Sequence, residues 1–276
     1  MFYNFDYSEK LYLNYINNPC KENYSSLEED AIVFNNISSF YFTALVLYHG
    51  NGIEKRVSLA MVYLEELEKQ ISGNSVTDTR IFQAHELLAW IYESGELGNK
   101  YYEKAYSMYL VGVKSSNPKF SYERLGFLNY WGYGCEQNYP MAAVYFEKAS
   151  SYGMALSHYY LGTMIRDGEG VEKNIEKAVE HFEEAAKREN EDAISCLAYM
   201  YSEFYSEWET DFNKSVNYYE KLTQMDSPRA QRMGWYGIGY AYMESNDSEK
   251  YNFAINCLEK AAELGSEQAI ELLNSL

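Results

Sequence analysis

The chain has 276 residues, of which 47% are hydrophobic and 23% are charged, a balance typical of a folded globular protein. It carries 41 acidic and 23 basic side chains, a formal net charge of −18. This charge argues against nucleic acid and anionic membrane surfaces as partners, because both are bound mainly through Lys and Arg. The longest stretch without a strongly polar residue, 40–48, is far shorter than the ~18 residues of a membrane span.

The N-terminal segment and the cysteines predict the compartment. The segment MFYNFDYSEK has no basic region followed by an apolar one, so no secretory signal is predicted. The four cysteines, at positions 20, 135, 196 and 257, are widely separated and form no CxxC pair. We therefore expect buried free thiols in a reducing cytoplasm, and neither a metal nor another cofactor.

In chain order, the first predicted elements are two helical segments within residues 1–38. Ser26 and Glu29 have the spacing of a capping box, which predicts a helix start at Ser26. At the other end of the chain, residues 266–276 predict a final helix. Both ends are interpreted as caps, since an array of repeats needs polar ends.

Between these ends, residues 39–265 carry an internal repeat. Its clearest copy has Leu161-Gly162, a turn at 167–170, and then a second block with Ala178, Phe182 and Ala185-Ala186. Six copies begin from equivalent positions at 43, 88, 125, 161, 197 and 238. Each copy places small and apolar residues at helical spacing in two blocks, which predicts two helices joined by a glycine-bearing turn.

Two proline dipeptides predict helix starts inside this region. Asn117-Pro118 and Ser227-Pro228 each place a capping residue before a proline, which is well tolerated at the first helical position.

The pattern L-G-x-x-Y-x-x-G-x-G-V, followed by A-x-x-x-(F/Y)-x-x-A-A, resembles the Sel1-like repeat, a relative of the tetratricopeptide repeat. The resemblance covers roughly Ser39 to Gly265. It implies an all-α fold, a right-handed α-solenoid of antiparallel helix pairs with about six repeats and helical caps, forming one domain over 1–276. Family members typically act as adaptors for protein complexes, which implies a non-catalytic role in protein–protein interaction.

The candidate catalytic residues do not form a recognisable motif. His49, His85, His158 and His181 are scattered, and none has metal-ligand spacing to another. The sequence HELLA from His85 lacks the second histidine of H-E-x-x-H. The glycine pairs of the repeats follow a helix rather than a strand, so they predict turns and not a phosphate loop. The protein is therefore not expected to be an enzyme.

The candidate binding surface follows from the resemblance, since the first helix of each pair lines the concave face in that family. Counting from the leucine of each L-G motif, positions −2, +2, +5 and +6 point away from the packing positions. These positions are rich in aromatic and acidic side chains, and the candidate partner-binding residues among them are Trp90, Phe127, Tyr130, Trp131, Tyr159, Arg166, Asp167, Tyr199, Glu203, Tyr236 and Tyr240. The alternative is that neighbouring first helices bury these aromatics as core between repeats.

The acidic residues are concentrated in one segment. Residues 166–211 contain fourteen acids and five bases, half of the net charge in a sixth of the chain. Such a run is either a solvated helix face or a docking patch for a basic partner.

The leading functional hypothesis is a scaffold or adaptor that binds a protein or peptide, favouring a basic one, on an aromatic and acidic concave face. The alternative is an intracellular inhibitor or immunity protein that neutralises a basic toxin or enzyme. A third class, a small-molecule binder or hydrolase, would require a deep pocket with convergent polar groups.

Overall fold

The computed structural model describes residues 5–19, 21–33, 36–50, 52–71, 79–202, 205–243 and 248–276. Within these ranges the chain forms helices joined by turns, without a β-strand. In chain order the helices are α1 (Phe5–Asn17), α2 (Lys21–Ile32), α3 (Ile37–His49), α4 (Val57–Ile71), α5 (Thr79–Ser94), α6 (Tyr102–Gly112), α7 (Lys119–Trp131), α8 (Tyr139–Ser151), α9 (Ala155–Asp167), α10 (Ile175–Ala186), α11 (Glu191–Met200), α12 (Phe212–Thr223), α13 (Pro228–Tyr242), α14 (Ser248–Glu263) and α15 (Glu267–Ser275).

The chain divides into two compact units, 1–145 and 146–276, with the boundary in α8. In the first unit α1 and α2 pack on α3, and α3 to α7 pack in chain order. In the second unit α9 to α14 pack in chain order, and α15 covers α14. The all-helical class is confirmed, and α3 to α14 supply a first and a second helix for each predicted repeat. The single-domain organisation over 1–276, with caps at 1–38 and 266–276, stays a prediction.

The glycine-bearing turns end the first helices as predicted. Gly132 after α7 and Gly168 after α9 have φ of 69° and 76°, in the left-handed region where a side chain would be strained. Their backbone N–H groups donate to the carbonyls of Leu128 and Met164, which satisfies acceptors that the helix ends leave unpaired.

Of the helix starts predicted at Ser26, Asn117 and Ser227, the structure confirms only the one at Ser227. Ser227 does cap α13: its side chain accepts from the N–H of Ala230, and Pro228 is the first helical residue. The capping box at Ser26 is wrong, because α2 already begins at Lys21 and the Ser26 hydroxyl donates to the Glu22 carbonyl inside the helix. The cap at Asn117 is also wrong, since Pro118 occupies the N-cap position of α7 without a side-chain cap.

Each unit has a core of large side chains at the predicted packing positions. Tyr109 of α6 and Phe146 of α8 are fully buried, as predicted for aromatics of the second helices. The other second-helix aromatics expected in the core, Tyr106, Tyr145, Tyr218 and Tyr219, are half-buried. At Gly162 of α9 an added Cβ would lie 3.0 Å from the Phe182 ring, so the glycine permits the close approach of α9 and α10.

Three cysteines lie among the described residues, and all are free thiols. Cys257 is buried as predicted, whereas Cys135 and Cys196 are half-buried. Burial raises the pKa of each of these thiols, which disfavours the reactive thiolate. Cys20 lies outside the described residues.

Candidate partner-binding surfaces on the first helices

In the first unit, three successive first helices border an open cavity of about 500 Å³, which we call the aromatic cleft. It lies between α3, α5 and α7, and its lining residues are Tyr41, Gln83, Glu86, Leu87, Trp90 and Phe120. The rings of Trp90 and Phe120 form one wall, with centroids 5.8 Å apart and planes inclined at 60°. Tyr41, Glu86 and Trp90 occupy the outward positions predicted from helical spacing, so the predicted aromatic and acidic character is present here.

The carboxylate of the aromatic cleft is held in place by the next repeat. Ser121 of α7 donates from its hydroxyl to Glu86 Oε1 at 2.6 Å. Gly112 of α6 makes room for this contact, because a Cβ there would overlap Ser121 Oγ and lie 2.8 Å from Glu86 Cγ. Burial raises the pKa of Glu86, while the hydrogen bonds from Ser121 act in the opposite direction.

A chain of polar contacts fixes the indole of Trp90. Its Nε1–H donates to the Tyr48 hydroxyl at 2.7 Å, and that hydroxyl in turn donates to Glu96 at 3.2 Å. Lys55 pairs with Glu96 at 2.7 Å and lies 4.7 Å from the centre of the Tyr48 ring. The indole therefore presents its ring, and not its donor, to the aromatic cleft.

A largely buried ion pair joins α5 and α7. Glu93 of α5 is 6% exposed and accepts from the Tyr109 hydroxyl at 2.9 Å and from Arg124 Nε at 3.0 Å. Arg124 Nη2 contacts the other carboxylate oxygen. The Arg124 guanidinium lies 5.8 Å from the Trp90 ring and 4.8 Å from the Phe127 ring, with its charge matched by Glu93.

The three predicted aromatics of α7 lie in different environments. Trp131, the last residue of the helix, is 51% exposed. Tyr130 is half-buried, with its ring edge-on to Trp131 at 4.9 Å. Phe127 is only 9% exposed, with the Arg124 guanidinium 4.8 Å from its ring, so it is buried and not presented to a partner, which favours the alternative that the sequence left open.

In the second unit, tyrosines form a row on the first helices. Tyr199 of α11 and Tyr240 of α13 are 47% and 40% exposed, and Tyr236 stacks on Tyr240 with centroids 5.8 Å apart. Tyr205, in the turn after α11, lies 5.7 Å from Tyr199. Tyr159 of α9 is half-buried, and burial raises its pKa to about 12. Four of the predicted aromatics thus retain accessible surface here.

The predicted charged residues of α9 are paired with each other. Arg166 Nε and Nη2 each lie 2.7 Å from a different carboxylate oxygen of Asp167. This bidentate contact raises the pKa of Arg166 and satisfies the acid within its own helix. Asp167 is therefore not an isolated negative charge awaiting a partner. Glu203, the other predicted acid, lies outside the described residues.

Other acids of the 166–211 segment are also paired. Glu184 contacts Lys187 and Arg188, which lowers the pKa of Glu184 to about 2, and Glu207 lies 2.6 Å from Lys173. The acidic run is therefore partly neutralised on its own surface.

Sequence reasoning missed one pair of titratable groups. His158 of α9 and His181 of α10 meet with their Nδ1 atoms 3.1 Å apart, a hydrogen bond in which one ring donates to the other. Their 23-residue separation matches no ligand motif, and only the packing of α9 on α10 brings them together. In the described part of the chain, no group of three or more His, Cys, Asp or Glu side chains is arranged to hold a metal ion.

This architecture of repeated helix pairs defines a helical-repeat protein, and comparison with known proteins gives the family. Four segments match the Sel1 repeat family model: 120–153, 155–190, 196–227 and 233–266. Each covers one first and second helix, from α7–α8 through α13–α14. The chain is a Sel1-like repeat protein, and its fold class is the α-solenoid of Sel1 repeats.

Solved structures support the same fold. The chain is similar to c5321, described as a protective antigen present in uropathogenic Escherichia coli strains displaying an SLR fold, with a TM-score of 0.74 and 20% identity. It is also similar to a Sel1 repeat protein from Oxalobacter formigenes, with a TM-score of 0.65 and 19% identity. These matches cover 90% and 87% of this chain, but 50% and 65% of those chains.

One curated relative is the uncharacterized protein NMB1327 of Neisseria meningitidis serogroup B (strain ATCC BAA-335 / MC58), 21% identical over 179 residues. The match covers 64% of this chain and 36% of that protein, so the chain spans about a third of its relative. Sel1 repeat proteins are generally protein-interaction scaffolds and typically non-catalytic. No helix among the described residues is both long and apolar enough to cross a membrane.

Proposed function

We propose that this chain is a non-catalytic scaffold that binds a protein or peptide, favouring a basic one, through its first helices. The aromatic cleft is the observation that carries the proposal, since three successive first helices open toward solvent there. Each unit also has exposed aromatic side chains on its own first helices, Trp131 in the first unit and Tyr199 and Tyr240 in the second. The predicted cytoplasmic location forms part of the proposal.

The exposed aromatics have a physical use at an interface. Burying a large exposed aromatic side chain against a partner lowers the free energy of the complex. Trp and Tyr are among the residues that contribute most to the binding energy of interfaces. Acidic groups beside such rings favour Lys and Arg on the partner through charge and cation–π attraction. Glu86 in the aromatic cleft supplies this combination.

The net charge of −18 supports the second candidate, an inhibitor or immunity protein for a basic toxin or enzyme. Both functions use the same surface chemistry, and they differ in the number of partners. A scaffold binds several proteins or one regulated client, whereas an inhibitor binds one basic protein tightly.

The test is site-specific photo-crosslinking from the proposed surface. p-Benzoylphenylalanine replaces Trp131 or Tyr199, and in matched controls it replaces Tyr152 or Phe253, which are 47% and 46% exposed but lie outside the first helices. In the cells that make the protein, we expect defined protein adducts from positions 131 and 199. Their yield should exceed that of the controls at least several-fold.

The adduct pattern also separates the candidates. A single basic protein at both positions would favour the inhibitor, and several proteins would favour the scaffold. Equal yields from all four positions, or adducts from the controls alone, would contradict binding through the first helices.

A further inference from the structure

Resting on the proposed function, the geometry of the aromatic cleft points to one chemical group on the partner. We propose that the cleft binds an arginine side chain of the partner protein or peptide.

The charge of the aromatic cleft is complementary to a cation. Glu86 is its one charged lining residue, and no Lys or Arg among the described residues lines it. Ser121 holds Glu86 from α7 through its hydroxyl, and these hydrogen bonds leave the negative charge of the carboxylate in place. The nearby Arg124 is matched by Glu93 and does not neutralise Glu86. A half-buried carboxylate in a cleft without a basic residue among its described lining is complementary to a donor that brings positive charge.

The aromatic residues that line the cleft favour arginine over lysine. The aromatic side chains of Trp90, Phe120 and Tyr41 line the same cleft as the Glu86 carboxylate. A guanidinium is planar, stacks on aromatic faces and is more weakly hydrated than an ammonium, so it loses less on leaving water. Because the Trp90 Nε1–H is already donated to Tyr48, the indole offers its π surface and does not compete for the Glu86 oxygen.

The binding test uses small probes and the full chain. N-acetylargininamide is titrated into ¹⁵N-labelled protein, with N-acetylcitrullinamide, which has a similar shape but no charge, and N-acetyllysinamide as comparisons. The readout is the indole N–H resonance of Trp90, assigned by its loss in Trp90→Phe. We expect a saturable shift with the arginine probe, binding at least tenfold weaker with citrulline, and an intermediate result with lysine.

Matched variants test the role of the carboxylate. Glu86→Gln and Glu136→Gln change the net charge equally, but Glu136 is an exposed residue in the turn after α7 and does not line the cleft. We expect Glu86→Gln to weaken arginine binding about tenfold or more and Glu136→Gln to leave it unchanged. If both variants weakened arginine binding equally, the binding would depend only on the net charge of the protein, and the proposal would be overturned.

The comparison of arginine with citrulline in the unaltered chain does not depend on how any variant folds. Equal affinity for the two, or no saturable shift up to about 50 mM arginine probe, would overturn the proposal. Crosslinks from positions 131 and 199 without arginine binding would contradict the arginine assignment alone. Arginine binding without such crosslinks would contradict the scaffold surface and leave the cleft as an isolated cation site.

Discussion

At the residue scale, equivalent positions of the repeat differ in exposure. Phe127 and Tyr199 occupy the same predicted outward position of α7 and α11, yet they are 9% and 47% exposed. At Phe127 the guanidinium of Arg124, from the same helix, lies 4.8 Å from the ring centre, and Glu93 on the neighbouring α5 holds that guanidinium in place. Helical spacing gives the direction of a side chain from its own helix, and the neighbouring helix decides whether that direction leads to solvent.

His158 and His181 are expected to make the free energy of unfolding depend on pH. Burial is the main cause that lowers the pKa of both imidazoles, and the positive charge of His181 and Arg188 lowers that of His158 further. The carboxylates of Glu147, Glu180 and Glu184 act in the opposite direction without reversing the shift. Both rings are therefore neutral in the folded protein at neutral pH, which permits their Nδ1–Nδ1 hydrogen bond.

We expect the free energy of unfolding to fall as pH decreases through the unfolded-state pKa of about 6.5. Below that pH the two histidines bind protons in the unfolded chain. In the folded chain their pKa values are lowered, so they bind protons only at more acidic pH. Chemical denaturation between pH 8 and pH 5 measures the effect.

The control for this prediction is a pair of variants. His158→Gln combined with His181→Gln should flatten the pH dependence in this window, whereas His49→Gln, which replaces an exposed histidine of α3, should not. An unchanged slope in the double variant would contradict the prediction.

At the element scale, polar contacts as well as apolar packing join consecutive repeats. Glu93 of α5 binds Tyr109 of α6 and Arg124 of α7, so one buried carboxylate connects three helices. Ser121 of α7 likewise reaches back to Glu86 of α5. These contacts hold the helices that border the aromatic cleft.

We expect Glu93→Gln to destabilise the protein by about 3 kcal/mol, because it removes the buried carboxylate that pairs with the half-buried guanidinium of Arg124. The matched control is Glu96→Gln in the turn after α5, which replaces the exposed carboxylate that pairs with Lys55 and should change stability little. Denaturant unfolding measures both variants. Equal losses would show that burial of the Glu93 pair does not matter.

At the scale of the whole molecule, the excess of acids affects association more than folding. The net charge of −18 creates a long-range field that would attract the basic partner proposed above, although several acids of 166–211 are locally paired. Salt screens such a field over roughly 10 Å at 0.1 M.

For the partner identified by crosslinking, we expect the association rate constant to fall about tenfold or more between about 50 and 500 mM NaCl. The dissociation rate should change much less, because the aromatic contacts are short-ranged. Stopped-flow binding measures both constants. A salt-independent association rate would contradict electrostatic attraction of the partner.

The sequence by itself determined the repeat period, the helix pairs, the left-handed glycines at Gly132 and Gly168 and the cap at Ser227, because these depend on local backbone preferences and on apolar spacing within one helix. It also located the aromatic and acidic character of the first helices. The burial of Phe127, the pairing of Arg166 with Asp167, the contact of His158 with His181 and the cleft around Glu86 required the packed structure. Each of these depends on what a second helix, or a neighbouring side chain's rotamer, places beside the residue, and spacing along one helix carries no such information.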